Sequence, residues 1–145
     1  MKTKIKKNWY NREKSVQELH NDSKLWVSEI NLIADEMRFL DHLLSSKYID
    51  CLDAGLFKKI ETFVTQISDE KIAGKALKEL INTHETILAD LIESNSVESN
   101  KNYLQTHKNI SKEIHTYNKK YKNIKKEIFD IVENVMKQKE QKKLT

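Results

Sequence analysis

Three of the five histidines lie at positions from which they could act together on one ligand. His84 and His107 occupy positions of an apolar repeat where aliphatic residues are expected, and His20 directly follows another such position, Leu19. Three imidazoles from separate helices around one open coordination position are a ligand set typical of Zn²⁺ or Fe²⁺. The sequence therefore predicts a candidate metal site at His20, His84 and His107, with zinc or iron as the metal.

The same histidines also have a purely structural interpretation. A histidine on an apolar stripe is more often a hydrogen-bonded core residue, or part of a polar layer that sets the register of the helices. The chain contains neither the Glu-x-x-His pair of di-iron bundles nor the His-Glu-x-x-His motif of zinc proteases. It also lacks a glycine-rich phosphate loop and a Gly-x-Ser-x-Gly motif. We therefore favour the structural layer and keep metal binding as the alternative.

A long amphipathic helix that begins near Ser15 forms the centre of the predicted fold. Apolar residues return along it at alternating intervals of three and four, as in helices that pack lengthwise against one another. Its predicted buried positions are Val16, Leu19, Ser23, Trp26, Ile30, Ile33, Met37, Leu40 and Leu44. A second apolar line, at Leu25, Leu32 and Phe39, predicts a buried face wide enough to contact two neighbouring helices.

Two further segments carry the same repeat. The first comprises Leu56, Ile60, Phe63, Ile67, Glu70, Gly74, Leu77, Ile81, His84, Leu88 and Leu91. The second comprises Tyr103, His107, Ile110, Ile114, Tyr117, Tyr121, Ile124, Ile128, Ile131 and Val135. We therefore predict an all-α fold, an elongated antiparallel up-down-up bundle of three long helices. Because Glu70 and Gly74 interrupt the apolar repeat, the alternative is a four-helix bundle with a break near Ser68–Gly74.

Two turn segments determine which residues share a level of this bundle. Small and polar residues at Asp50–Gly55 and at Ser94–Ser99 predict the two turns. His84 and His107 lie at similar distances from the second turn, so an antiparallel hairpin places them opposite each other. Folding the first helix back about the first turn brings His20 to the same level. The predicted metal site depends on this matching of levels.

Polar residues also predict where two of the helices begin. Ser15 and Glu18 have the spacing of a capping box, in which a hydroxyl and a carboxylate satisfy each other's backbone amides. Asp53 is the predicted N-cap of the second long helix.

Length and composition predict a single domain over residues 1–145, with flexible basic tails at about 1–14 and 137–145. The absence of proline and the presence of only two glycines argue against an all-β chain. No apolar run approaches the roughly 18 residues of a membrane span, and we expect a cytoplasmic protein. The single cysteine, Cys51, fits a reducing compartment.

Charge is distributed unevenly along the chain. Residues 15–100 carry eight bases and sixteen acids, whereas residues 101–145 carry twelve bases and five acids. The favoured interpretation is that a basic last helix packs against acidic helices of the same fold. The alternative is a surface for nucleic acid or an anionic membrane, since Lys119, Lys120, Lys122, Lys125 and Lys126 cluster near two tyrosines.

Several short motifs resemble those of an uncharacterised family of small bacterial helical-bundle proteins. They are Glu18-Leu-His20, then Trp26, then Asp35-Glu36, and His84-Glu85 at the end of a long helix. The resemblance implies a bundle of long helices with His20 and His84 as linked positions, and it implies no activity.

These observations predict a non-enzymatic helical-bundle protein that acts through its surface or by self-association. The expected partners are a second copy of the chain in a homodimer or an unidentified protein. The alternatives are metal binding at His20, His84 and His107, and binding of nucleic acid or an anionic surface through lysine-rich segments.

Overall fold

The computed structural model describes residues 14–97 and 99–144, and in these residues every regular element is an α-helix. Helix α1 spans Val16–Ser46, α2 spans Tyr48–Asp53, α3 spans Phe57–Glu93 and α4 spans Lys101–Leu144. The three long helices all pack against one another, and the short helix α2 lies at the first corner. The predicted all-α bundle is therefore confirmed.

Side-chain pairs between the helices establish their directions. Between α1 and α3, His20 contacts Glu85 whereas Asp41 contacts Lys71, so residue numbers run in opposite directions. Between α1 and α4, Asp22 contacts His107 and Glu36 contacts Lys125, so both numbers rise together. This is the up-down-up order, with α1 and α4 parallel and α3 antiparallel to both.

Helix α3 is continuous, and the alternative of a break near Ser68–Gly74 is wrong. Gly74 is a helical residue, and this position suits glycine because a side chain from α4 occupies the space that a Cβ would need. An ideal Cβ on Gly74 would lie 2.6 Å from the hydroxyl oxygen of Tyr117. The other irregular position, Glu70, is buried, and one of its carboxylate oxygens lies 3.8 Å from the ammonium of Lys120. Partners on α4 thus compensate for both interruptions of the apolar repeat.

The first helix begins as the sequence predicts. The Ser15 hydroxyl accepts a hydrogen bond from the backbone amide of Glu18, and the Glu18 carboxylate accepts one from the amide of Ser15. The prediction for Asp53 is wrong, because this residue ends α2 and Leu56 is the N-cap of α3 without a side-chain hydrogen bond. At the start of α4, Asn100 accepts a hydrogen bond from the amide of Tyr103, at 2.9 Å.

Both corners are closed by the same backbone motif. Gly55 has φ 76° and Asn95 has φ 55°, so each residue takes the left-handed conformation that follows a helix end. The amides of the next residues, Leu56 and Ser96, then bond back to carbonyls five residues earlier. This hydrogen-bond pattern is the Schellman motif, and it explains why the chain reverses within a few residues.

The positions of the three predicted apolar repeats form the core, with differences only near the helix ends, whereas the second apolar line of α1 stays outside it. Val16 is 38% exposed, and at the far end of α4 Val132 is buried whereas the predicted Ile131 is only partly so. The buried apolar residues form two clusters, a large one around Phe63 and a small one around Leu19. A polar layer lies between these two clusters, and it contains the histidines discussed below.

The predicted tails are only partly described. Residues 1–13 lie outside the described part of the chain, so the prediction of a flexible segment at 1–14 stays a prediction. At the other end, residues 137–144 belong to α4, and Lys139 forms a 3.0 Å ion pair with Asp50 near the first corner. None of the helices in the described residues is long and apolar enough to cross a membrane.

Candidate functional site

The polar layer of the core is built around a hydrogen bond between two histidine rings. The Nε2 atom of His84 lies 2.8 Å from Nδ1 of His107, and both residues are at least 97% buried. His84 comes from α3 and His107 from α4, and each lies on the apolar stripe of its helix. The antiparallel hairpin therefore brings these two rings to one level, as the predicted turns require.

A carboxylate from the first helix completes this chain of hydrogen bonds. Oδ2 of Asp22 lies 2.9 Å from Nε2 of His107 and 2.6 Å from the ammonium of Lys14. Asp22 is only partly buried, so its charge remains close to water while it contacts a buried ring. The result is a continuous path from Lys14 at the surface through Asp22 and His107 to His84.

The carboxylate of Asp22 determines which nitrogens of the two histidine rings carry a hydrogen. Ionised Asp22 can only accept a hydrogen bond, so Nε2 of His107 must donate one. When His107 is neutral, its Nδ1 is an acceptor and Nε2 of His84 is therefore the donor. The remaining nitrogen of His84, Nδ1, then carries a lone pair, and it has no hydrogen-bond partner among the described residues.

Aromatic rings enclose the histidine pair. The ring of Tyr103 stacks on that of His84, with centroids 4.2 Å apart and planes within 3° of each other. The ring of Trp26 lies 4.7 Å from that of His107. Burial, followed by the neighbouring His107, lowers the pKa of His84 to about 4, whereas Glu85 opposes the shift. His84 is therefore a neutral side chain at physiological pH.

His20 does not join this pair. Its Nδ1 lies 2.7 Å from Oε2 of Glu85, on the side of the bundle where α1 faces α3. Its side chain is 42% exposed, which agrees with its position one residue away from the apolar stripe. The structure thus brings His84 and His107 into contact, and it connects His20 only to Glu85, the residue that follows His84.

The distance between the two ring nitrogens can be compared with the distance that a metal site requires. Two nitrogens bound to one tetrahedral zinc at about 2.0–2.1 Å lie more than 3 Å apart, so the hydrogen-bonded pair at 2.8 Å is closer than two ligands would be. In the described residues, no three His, Cys, Asp or Glu side chains are grouped so that they could hold a metal ion. Metal binding by His20, His84 and His107 would require His20 to leave Glu85, and it stays a prediction.

A groove between α1 and α3 runs beside the histidine layer. Its volume is about 340 Å³, and its lining includes Ser23, Lys24, Asn82 and Glu85. The hydroxyl of Ser23 and Oε1 of Glu85 are buried atoms without a hydrogen-bond partner in the described part of the chain. Unpaired polar groups at such a place are costly to bury, so we expect water to satisfy them.

Cys51 is a poor candidate for nucleophilic chemistry. It is fully buried at the first corner, in the large apolar cluster. Burial raises the pKa of its thiol, and the neighbouring carboxylate of Asp50 acts in the same direction.

A candidate interaction surface lies on the outer side of α1. Leu25, Leu32 and Phe39 are 58%, 59% and 56% exposed, so the prediction that they widen the buried face is wrong. We call these three residues the α1 apolar line. The ring of Phe39 lies 6.4 Å from the ring of Phe129 on α4, and Phe129 is 39% exposed. The spacing of seven keeps the three side chains on one face of α1, which lies outside the core and, at Phe39, beside α4.

The sequence contained signals for most of this site, but it did not assign the partners. The matching of levels identified His84 and His107, and Asp22 and Glu85 lie close to the predicted histidines in the sequence. It did not assign Asp22 to His107 or Tyr103 to His84, because those contacts depend on how each helix is rotated about its axis.

No family model, curated protein sequence or solved structure matches this chain. The resemblance to a family of bacterial helical-bundle proteins therefore stays a prediction.

Proposed function

We propose that this protein is a non-enzymatic interaction module, and that the α1 apolar line is the surface through which two copies associate. The observation that carries the proposal is the exposure of three large apolar side chains at a constant spacing on one helix face. Isolated exposed apolar residues are common on monomeric proteins, but a regularly spaced line of them on one helix face suits an interface. We expect the protein to act in the cytoplasm.

The spacing of the line suits pairing with a second copy. Leu25, Leu32 and Phe39 are evenly spaced, so the line is nearly symmetric about Leu32. If two α1 helices pack antiparallel about a two-fold axis at Leu32, Leu25 of each copy contacts Phe39 of the other. The line is about 21 Å long, and Phe129 extends the apolar surface at one end of it.

A non-enzymatic role agrees with the environment of the histidine layer. His84 and His107 have polar contacts in a core where each is at least 97% buried. A general base has to reach the proton that it abstracts, and the free Nδ1 of His84 is enclosed by the core. The layer therefore suits a role in setting register, which a rigid interaction module requires.

The test is the oligomeric state of a Leu32→Asp variant. We expect the wild-type protein to show a monomer–dimer equilibrium in sedimentation, and we expect Leu32→Asp to shift it to monomer because a charge would be buried at the two-fold axis. Ile72→Asp is the matched control, since Ile72 is 66% exposed on α3 and lies outside the line. A wild-type protein that stays monomeric at all concentrations would contradict the proposal, as would equal effects of the two variants.

A second candidate function is metal binding at His20, His84 and His107. It is favoured by the buried Nδ1 of His84, a nitrogen with a free lone pair and no partner among the described residues. We expect added zinc at neutral pH to bind with a stoichiometry near one and to raise the melting temperature. This shift should disappear in His20→Ala and persist in His42→Ala, which changes an exposed histidine. Failure of zinc and iron to bind the wild-type protein would rule this function out.

A further inference from the structure

The solvent face of α4 carries a straight stripe of basic side chains. Its members recur at intervals of four and three residues, so they stack along one side of the helix. They are Lys108, Lys112, His115, Lys119, Lys122 and Lys126. All six are exposed, and the stripe extends over about 27 Å of the helix. We call these residues the α4 basic stripe.

The lysines of this stripe are distinct from those that α4 uses within the bundle. Lys120 pairs with Glu70, Lys125 with Glu36 and Lys139 with Asp50, so these three contact acids on other helices. No lysine of the α4 basic stripe forms an ion pair with a carboxylate of residues 14–97 or 99–144. The packing of a basic helix against acidic helices therefore accounts for only part of the charge of α4.

From this arrangement we infer that the α4 basic stripe binds the phosphate backbone of duplex nucleic acid without reading its sequence. A double helix carries one negative charge per about 1.7 Å of its axis, so a rod of aligned ammonium groups meets phosphates along its whole length. The neighbouring face of α4 adds short polar side chains that donate hydrogen bonds to phosphates. These are Asn102, Asn109, Thr116 and Asn123, and all of them are exposed. The same face also carries two exposed acids, Glu113 and Glu127.

The aromatic residues of α4 argue against single-stranded nucleic acid as the ligand. Proteins that bind single strands combine basic grooves with exposed aromatic rings on which bases stack. Tyr103, Tyr117 and Tyr121 are 4%, 5% and 2% exposed, so none of them offers such a platform. Phe129 is 39% exposed, but it is a single ring beyond the last lysine of the stripe. Backbone contacts without stacking are what a duplex requires.

An anionic membrane is the other surface that could attract this stripe. Helices that bind in a membrane interface present large apolar side chains beside their basic residues. Between Lys108 and Lys126 the face beside the stripe has no large apolar side chain, and Phe129 lies about one turn beyond the end of the stripe. The residues of that face are Asn109, Glu113, Thr116, Lys120 and Asn123. The polar character of this face therefore favours the nucleic acid.

The experiment measures binding of the full chain to a labelled random-sequence duplex of about 20 base pairs by fluorescence anisotropy. Between 50 mM and 200 mM salt, five lysine–phosphate contacts predict a slope of log K against log salt of about −4.5. The triple variant Lys112→Ala, Lys119→Ala, Lys126→Ala should reduce the magnitude of this slope by about 2.7. Because each contact contributes about eightfold at 100 mM salt, we expect the affinity to fall by about 100-fold or more.

The matched control removes the same charge elsewhere. Lys24→Ala, Lys58→Ala, Lys75→Ala changes three exposed lysines on α1 and α3, so it lowers the net charge equally. This control should retain most of the affinity and the original slope, and the circular dichroism of both variants should show that they are folded. The inference is overturned if the two triple variants lose affinity equally, or if the wild-type protein does not bind the duplex. Tighter binding to a 20-nucleotide single strand, or to vesicles with about 30% phosphatidylserine, would also overturn it.

Discussion

Acidification from pH 6.5 to pH 4 should destabilise the wild-type protein by about 3 kcal/mol more than it destabilises a His84→Gln variant. The pKa of His84 is about 4 in the folded protein, compared with 6.5 for an unperturbed histidine. Between these values the unfolded chain binds a proton that the folded chain does not bind. The contribution of neutral His84 to the free energy of unfolding is therefore complete above pH 6.5, and it is lost as the pH falls toward 4.

Glutamine is the informative replacement at this position. Its amide can donate a hydrogen bond to Nδ1 of His107, as His84 does, but it does not titrate. The measurement is the free energy of unfolding by urea at a series of pH values. Other groups with shifted pKa values, such as the carboxylate of Glu36, contribute in both proteins, so their effect cancels in the difference between the two curves.

An exposed histidine provides the control for the acid experiment. His42→Gln changes a solvent-exposed residue of α1, and its stability should follow the wild-type protein at every pH. Parallel pH curves for the wild-type protein and His84→Gln would contradict the buried, neutral state of His84. They would also remove the histidine layer as the source of any acid sensitivity.

The Gly74→Ala variant should be destabilised by about 1–2 kcal/mol, although alanine is the better helix former. Replacing a glycine within a helix by alanine ordinarily stabilises it by about 1 kcal/mol. Here the new Cβ would lie 2.6 Å from the hydroxyl oxygen and 3.2 Å from Cζ of Tyr117. Relieving this clash requires a shift of a buried aromatic ring, and the cost exceeds the gain in helix propensity.

A Tyr117→Phe replacement should relieve the Gly74→Ala defect. The Tyr117 hydroxyl is buried without a hydrogen-bond partner among the described residues, so its removal alone should cost little. In the Tyr117→Phe background, the new Cβ at position 74 no longer meets the hydroxyl, and its remaining neighbours are Cζ of the ring at 3.2 Å and Cγ2 of Ile30 at 3.5 Å. The double-mutant cycle should therefore show a coupling of about 1–2 kcal/mol. Additive effects of the two substitutions would contradict the close contact.

Gly55 is the control for the glycine experiment. Gly55→Ala is strained by its positive φ of 76°, but its Cβ would have no neighbour within 4 Å. The cost of Gly55→Ala should therefore be the same in the wild-type and Tyr117→Phe backgrounds. A coupling between Gly55 and Tyr117 would show that the measured cycle reports a general loss of stability.

Glu70 shows how far a local pattern could predict the fold. The apolar repeat places this residue in the core, yet a carboxylate at such a position also suggests a break in the helix. Burial raises the pKa of Glu70, and the nearby Lys120 opposes this effect. The sequence of α3 alone could not exclude a break, because the compensating groups, Lys120 and Tyr117, are on α4.

The level of the histidines in the bundle was predictable, but the side chains that hydrogen-bond to His20 and His107 from the other helices were not. Equal distances from a turn place His84 and His107 opposite each other, and this depends only on the rise per residue of two antiparallel helices. Whether His20 joins them depends on the rotation of α1 about its axis, and the core contacts of Trp26 and Leu19 set that rotation. His20 therefore points to Glu85, and Asp22 contacts His107 instead.

The sequence by itself determined the helical fold, the two corners and nearly all of the core, because heptad spacing and backbone capping are properties of neighbouring residues. Only the tertiary structure decided which side of each helix remains exposed and which polar groups meet. Leu25, Leu32 and Phe39 were expected to be buried because they are apolar and regularly spaced, but two helices already cover the core face of α1. Their exposure, like that of the α4 basic stripe, follows from the packing of three helices around one core.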